Sequence, residues 1–231
     1  MKGLLVRVGI DSTDGRWNAP VDSRTSAFAY VTIPEAKPIR SGLARLYDEF
    51  EPAISKFGLR LPDQLIGART HLDPDFSTLT YGDQGRRAQQ IGRLGSGDLI
   101  VFYAGLRDVN PNERLVYALT GLYVVDEMVP AHSIKEDRWS ENAHTRRIPG
   151  ATDLVVRAKP GVSGRLERCI PIGEYRQRAY RIKHDLVARW GGLTVKNGYI
   201  QRSARLPEFR QPNRFYDWFL AQEARLLRVN N

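Results

Sequence analysis

The sequence predicts an α/β (α+β) fold: a single domain over residues 1–231, with a mixed or largely antiparallel sheet flanked by helices and a sheet core able to close like a barrel. Three observations predict it. GDLIVFYAGLR, residues 97–107, is the strongest strand pattern in the chain. ERLVYALTGLYVVDEMV, residues 113–129, follows across the turn residues DVNPN, so the two make a hairpin. Helical spacing recurs between the strand runs, and no repeat, low-complexity run or linker divides the chain.

The elements follow in order. LLVRVGI, residues 4–10, is rich in branched apolar side chains and reads as a buried strand. DSTDGRWNAPVDSRT is dense in turn residues and reads as a loop. SAFAYVTIP, residues 26–34, reads as a second strand ended by Pro34. Residues 41–57 place Leu43, Leu46, Tyr47, Phe50 and Ile54 at helical spacing, interrupted by Pro52, and predict a short helix. QGRRAQQIGRLG predicts a helix closing at Gly95 or Gly97. Residues 113–129 form one long strand or two consecutive ones, with Gly121 as bend or bulge. HSIKEDRWSENAHTRR is helical or irregular, and DLVVRA is a strand. GVSGRLERCIPIGEY reads as turn, short strand and loop, and YRIKHDLVARWGG as a helix capped by Gly191 or Gly192. RFYDWFLAQEARLLRV predicts a terminal amphipathic helix with Tyr216, Leu220, Ala224 and Leu227 on one face and Phe219 beside it.

Composition bounds the function classes. Hydrophobic residues are 42% and charged residues 26%, values that allow a packed core and argue against long disorder. The lone Cys169 excludes an internal disulfide framework and a cysteine-type zinc site, and is expected to be a small buried residue. The start, MKGLLVRVGID, lacks the longer apolar region of a secretory signal, and no run approaches a membrane span. A cytoplasmic protein with no membrane partner is expected. Residues 1–149 hold 19 Lys+Arg against 19 Asp+Glu, whereas residues 150–231 hold 16 against 7, so the whole net charge of +9 sits in the last third. That excess is mostly arginine, whose fork matches phosphates, so DNA or a nucleotide is the expected partner.

The densest chemistry is His71-Leu72-Asp73-Pro74-Asp75. In an extended segment alternate side chains share a face, so His71, Asp73 and Asp75 would point together. Such a trio binds a divalent cation, or orients a histidine as general base; turn chemistry around Pro74 is the competing reading. Gly9-Ile10-Asp11-Ser12-Thr13-Asp14-Gly15 follows the first strand, which places Asp11 and Ser12 where α/β folds bind ligands. It is neither a phosphate-binding loop nor a dinucleotide fingerprint. Asn142-Ala143-His144-Thr145-Arg146-Arg147 offers Arg146 and Arg147 to a phosphate and Asn142 or His144 to a base edge, or is a polar surface loop. Gly161-Val162-Ser163-Gly164-Arg165 reads as a tight turn, with Arg165 as a phosphate contact in the functional reading. His132 and His184 read as surface or packing residues, and the aromatics of RFYDWF as core. No nucleophile elbow and no HExxH motif are present.

Taken in order, LLVRVGIDST, HLDPDF, YGDQGRRA with GDLIVFYAGLR, YALTGLYVVDEMV, NAHTRR and SGRLERCIPI resemble the nucleotide modification associated domain of type 3 over most of the chain. Val8 stands where that pattern is expected to carry a basic residue. The resemblance implies an association with enzymes that make or use modified DNA bases in phages and bacteria. It favours Asp11, His71, Asp73 and Asp75 acting together. GDLIVFYAGLR with YALTGLYVVDEMV is also similar to the barrel core of RNA-binding modules of the pseudouridine synthase and archaeosine transglycosylase type, which would turn Tyr103 and Arg107 toward a pocket. Three expectations follow. The first is an enzyme on a nucleotide or DNA base, with catalytic Asp11, His71, Asp73 and Asp75, a divalent cation as the cofactor option, and phosphates held by basic residues including Arg7. The second is a modified-base reader using Tyr103. The third is a non-catalytic partner of other DNA-modification enzymes.

Overall fold

The structure is a computed structural model that describes residues 1–13, 15–110, 115–201 and 205–231. Asp14, residues 111–114, which end the expected DVNPN turn and open the strand expected after it, and residues 202–204 lie outside the described residues. In chain order the strands are β1 (Gly3–Arg7), β2 (Pro20–Asp22), β3 (Ala27–Phe28), β4 (Ile33–Pro34), β5 (Thr70–His71), β6 (Thr80–Asp83), β7 (Leu99–Asp108), β8 (Leu115–Pro130), β9 (Leu154–Ala158), β10 (Gly164–Pro171), β11 (Gly173–Arg176), β12 (Ala179–Ile182) and β13 (Leu226–Leu227). The α-helices are α1 (Glu51–Ser55), α2 (Gly85–Ile91), α3 (Ala143–Arg146), α4 (His184–Arg189) and α5 (Pro212–Leu220). The class is α+β: a curled mixed sheet forms a half-barrel, with a few short helices against it.

β7 is the spine of the sheet. Its two edges are both paired, so its backbone groups are satisfied and its side chains can all be apolar. On one edge β1 runs parallel to its first half, from Gly3 opposite Leu99 to Arg7 opposite Tyr103, and β2 runs parallel to its end. On the other edge β8 runs antiparallel along its whole length. β8 outreaches β7 and is shared in turn by β10 along its first half and β9 along its second, with β6 outside β9 and β13 outside β10.

Both faces of this sheet are buried, and the side chains of β7 alternate between two cores. Ile100, Phe102, Ala104 and Leu106 enter one core, and Leu99, Val101 and Tyr103 the other. On β8 the alternation changes phase. Tyr117 and Leu119 share the second core with Leu122 and Val124, which requires one extra residue between the pairs. The register supplies it: Phe102 pairs with Gly121 and Tyr103 with Leu119, leaving Thr120 as the bulge. Gly121 is the glycine this crossing needs. A Cβ there would stand 2.6 Å from the Phe76 ring and 2.9 Å from the Gly164 carbonyl oxygen.

Several expected elements differ. The strand expected over residues 26–34 is two short strands, because the backbone between them bonds elsewhere: Ala29 N–H to Pro20, Tyr30 N–H to the Asn231 side chain, and Val31 C=O to Ile10. The loop after β1 contains β2. The helix over residues 41–57 is a 3₁₀ turn, Tyr47–Phe50, leading into α1, with Pro52 in the first turn, where its missing N–H costs nothing. Helix α2 stops at Gly92, before Gly95 and Gly97. Residues 180–182, read as the start of a helix, belong to the strand Ala179–Ile182 of the β11–β12 hairpin, and α4 ends at Gly191 and Gly192 with φ of +77° and +96°. The terminal helix buries Phe215 and Phe219 against Trp190, while Leu220 is 56% exposed and Leu227 lies on β13. Of the expected face, Tyr216 and Ala224 pack partly buried against the core beside Phe219, while Leu220 does not, since ring packing around Trp190 outweighs the aliphatic stripe. Among the described residues, no helix is long and apolar enough to cross a membrane.

The bulge makes a testable demand. Gly121→Ala should destabilise the protein by about 1–3 kcal/mol, since neither the Phe76 ring nor a backbone carbonyl can move aside cheaply. Urea unfolding measures it, and a change within about 0.5 kcal/mol would contradict this account of the crossing.

Candidate functional site

The site is built on the loop that leaves β5. His71 ends that strand, paired antiparallel to Ile33 on β4. The extended backbone stops there, and residues 75–80 close a tight loop in which Asp75 and Thr80 exchange backbone hydrogen bonds of 2.9 and 3.1 Å. The loop is pinned from below by Phe76, which packs edge-on against Tyr30, Phe102 and Tyr123 at 5.1–5.8 Å between ring centroids. Because the period-two backbone ends at His71, the expected common face of His71, Asp73 and Asp75 does not form. His71 and Asp73 face one space. Asp75 turns away, accepting from Arg146 Nη2 at 2.5 Å and from Asn230 Nδ2 at 3.0 Å.

Among the described residues, no cationic side chain donates a hydrogen bond to Asp73. Its two oxygens accept the Gly82 N–H at 2.9 and 3.0 Å, and Oδ1 accepts Asn142 Nδ2 at 3.0 Å. Asn142, buried completely, also caps α3 by accepting the His144 N–H at 2.8 Å. That cap fixes where α3 begins, and so brings the His144 ring against Gly82. A Cβ on Gly82 would lie 2.4 Å from His144 Cδ2, so only glycine fits.

Two imidazoles flank the carboxylate in the same way. His71 Nδ1 is 2.5 Å from Glu35 Oε2, and His144 Nδ1 is 2.8 Å from Asp153 Oδ2. Each Nδ1 thus faces a carboxylate, with Arg147 Nη2 also 2.9 Å from His144 Nδ1, and each ring turns its Nε2 the other way. Both Nε2 atoms point at Asp73 Oδ2, at 3.9 Å for His71 and 3.7 Å for His144. Arg147 ties the two orienting carboxylates together, with Nη2 2.9 Å from Asp153 and Nη1 3.7 Å from Glu35.

Burial sets the charges. It pushes the Asp73 carboxyl well above its ordinary range, beyond what the Gly82 and Asn142 hydrogen bonds restore. It also lowers His144 to about 4, against the pull of Asp153, so that ring is neutral at pH 7. Burial acts to raise Glu35 and Asp153 too. The hydrogen bond from His71 to Glu35, and those from His144 and Arg147 to Asp153, outweigh it and hold both carboxyls below their usual range. Charge thus lies on the outer carboxylates and Arg147, around a less polar centre where two imidazole nitrogens and one carboxyl meet.

His71, Asp73 and His144 line a cleft of about 590 Å³, a volume that suits a small-molecule ligand. Arg7, Lys37, Arg87, Arg147 and Arg205 line it too, against Glu35 and Asp83. Arg7 is steadied by Asp11 at 2.9 Å and Arg87 by Asp83 at 3.1 Å, and Lys37 donates to Gln84 at 2.8 Å. Nε2 of each histidine and an oxygen of Asp73 are donor types that suit a divalent cation, and one ligand atom from each residue lies within 4.8 Å of the others.

The other sequence-derived candidates fall in several places. Asp11 is buried beside Arg7, which lines the cleft while Asp11 does not, and Ser12 is exposed. Tyr103 lines the cleft, but its hydroxyl donates to the Ile200 carbonyl at 2.7 Å. Arg107 is exposed at the far end of β7, away from the cleft. Asn142 and His144 are buried rather than on a surface loop, Arg146 is committed to Asp75 and the Ser140 carbonyl, and Arg147 reaches the cleft. Arg165 is buried over the Phe28 ring at 5.2 Å and donates to the Leu166 and Val229 carbonyls, outside the cleft. Among the described residues after 150, Arg205 is the cation that lines it. Glu35, Lys37, Arg87 and Asp153 carried no local signal. Each matters through a partner, His71 for Glu35, Gln84 for Lys37 and His144 for Asp153, or, for Arg87, through the cleft it lines.

A family model described as nucleotide modification associated domain 3 matches residues 2–211. That span contains every residue of the cleft and of the cluster. No curated protein and no solved structure matches the chain.

The two aspartates should respond oppositely to substitution. Asp73→Asn keeps an oxygen for the Gly82 N–H and offers its N–H groups to the Nε2 lone pairs, so stability should change by less than about 1 kcal/mol. Asp75→Asn leaves the buried Arg146 guanidinium without its counter-charge and should cost about 3–5 kcal/mol. Urea unfolding of both variants decides; equal losses would contradict the division of roles.

Proposed function

The chain belongs to the nucleotide modification associated domain 3 family, and from that membership and the cleft we propose that it is an enzyme acting on a single nucleotide, free or turned out of a DNA strand. The observation that carries the reading is the convergence of His71, His144 and Asp73 at the floor of the cleft, each imidazole oriented by its own carboxylate. A module that only recognises a base needs shape, stacking and hydrogen bonds, not three titratable groups aimed at one point.

The rest of the cleft supports a nucleotide. Its volume suits one nucleotide and not a duplex, so a base within DNA would have to leave the stack to enter. Arg7, Lys37 and Arg87 line the cleft and offer charge to a phosphate, while Arg147 serves the cluster itself. Guanidiniums already steadied by Asp11 and Asp83 lose little further freedom on binding a phosphate. The reader alternative is weakened at its main residue, since the Tyr103 hydroxyl is taken by Ile200. Association with other DNA-modification enzymes fits the family description and would supply or consume the nucleotide.

Titration calorimetry with the four deoxynucleoside monophosphates, and mass analysis of the same nucleotides and a single-stranded oligonucleotide after incubation, test the reading. At least one nucleotide should bind, and Arg87→Ala or Lys37→Ala should weaken it about tenfold or more, the cost of one charge-assisted hydrogen bond. Any mass change should vanish in Asp73→Asn and His144→Ala while nucleotide binding persists. Binding to none of these probes, or turnover surviving in both variants, would contradict it.

A further inference from the structure

We propose that His71 Nε2, His144 Nε2 and one oxygen of Asp73 are the three protein ligands of a catalytic zinc-type metal centre whose remaining position opens into the cleft. The inference deepens the preceding reading and rests on it for the chemistry the ion would serve, though not for the ion's binding.

Spacing is the first argument. The Nε2 atoms stand 3.9 and 3.7 Å from Asp73 Oδ2, too far for a hydrogen bond, yet all three atoms are aimed at the same space. A tetrahedral ion with bonds near 2.0–2.1 Å holds its ligands about 3.4 Å apart. Closing on an ion therefore asks the side chains, now within 4.8 Å of one another, to swing in by at most about an ångström.

Second-sphere chemistry is the next argument. Metal-binding histidines characteristically donate their other N–H to a carboxylate, which fixes the tautomer and makes the ligating nitrogen more basic. Here Nδ1 of each ring lies within hydrogen-bond reach of one, His71 of Glu35 and His144 of Asp153, with Arg147 Nη2 beside the latter nitrogen. A general base needs one such arrangement, and two symmetric ones around one carboxylate oxygen describe a ligand set. Asp73 is itself anchored by the Gly82 N–H and Asn142, leaving Oδ2 its approach to the histidines.

Donor type and openness select the class of ion. Two imidazoles and a carboxylate suit a borderline first-row ion and fit Mg²⁺ or Ca²⁺, which take mostly oxygen ligands, poorly. Three protein ligands with a fourth position free is the catalytic rather than the structural zinc pattern. That position faces the cleft because all three ligands line it. It would take a water or a substrate oxygen, which the ion would acidify or polarise. The centre expected at His71, Asp73 and Asp75 is replaced by one in which His144 takes the place of Asp75, whose carboxylate belongs to Arg146.

Chelator-treated full-length protein is titrated with Co²⁺, reading the visible absorption of four-coordinate cobalt, and then with Zn²⁺ as competitor. One Co²⁺ per chain should bind and be displaced by Zn²⁺. Asp73→Asn and His144→Ala should each weaken binding at least 100-fold, and Glu35→Gln or Asp153→Asn about 10–100-fold. His132→Ala and His184→Ala, both on the exposed surface, should leave it unchanged. Circular dichroism checks that each variant is folded, and Asp73→Asn is the variant expected to keep full stability. Absence of stoichiometric binding, or binding unchanged in both folded ligand variants, overturns the inference. Deoxynucleoside monophosphate titrations on the same preparations separate the two readings. Nucleotide binding without ion binding sinks this inference alone, and ion binding without nucleotide binding sinks the preceding one alone.

Discussion

Everything at the site depends on how one buried carboxyl group is held. Asp73 sits among apolar and ring surfaces, with a backbone amide and a side-chain amide as its donors. That arrangement orients the group without neutralising it, unlike the guanidinium pairing of Asp75 two residues on. Its donors also organise the neighbours. Gly82 lies on β6, whose pairing to β9 carries the sheet beneath the cluster, and its missing side chain is the space His144 fills. Asn142 caps the helix that delivers His144. One polar clamp thus joins the loop after β5 and strand β6 to a helix far along the chain.

The sheet explains why the clamp sits where it does. A spine strand buried on both faces needs a core on each side, and the bulge at Thr120 keeps both cores filled as β8 bends. Phe76 is the link between that frame and the site. It packs on Phe102 and Tyr123 of the sheet, and its backbone N–H is held by Asn230 at 2.8 Å. The site loop is therefore fixed from the core side by aromatic packing and from the chain's end by a hydrogen bond. Such a floor suits chemistry that depends on distances of a few tenths of an ångström.

Much of the frame could be read from the sequence, because β1, β7, β8 and β9 are apolar runs long enough to outweigh local ambiguity. The short strands β2, β3, β4 and β5 could not, since pairs of two or three residues are decided by which partner supplies the other half of each hydrogen bond. Half of the cluster was visible as well: the density of His71 and Asp73 around a proline marks a site or a turn, and they are the histidine and carboxylate that meet. Asp75 was misplaced because periodicity was extended past the residue where the strand stops. His144 was singled out for its neighbours Arg146 and Arg147, but its meeting with Asp73 is a contact across 71 positions that no spacing rule reaches. Glu35 and Asp153 left no trace at all, since a carboxylate that orients a histidine looks like any other until the fold places it.

The central claim is that each imidazole turns its Nδ1 to an orienting carboxylate and its Nε2 to Asp73. Long-range nitrogen–proton correlation NMR of the metal-free protein at pH 7 reads it directly, because the two ring nitrogens of each tautomer have distinct shifts. The account predicts the Nδ1–H tautomer for both His71 and His144. Either ring found as the Nε2–H tautomer, or His144 found doubly protonated, would contradict it.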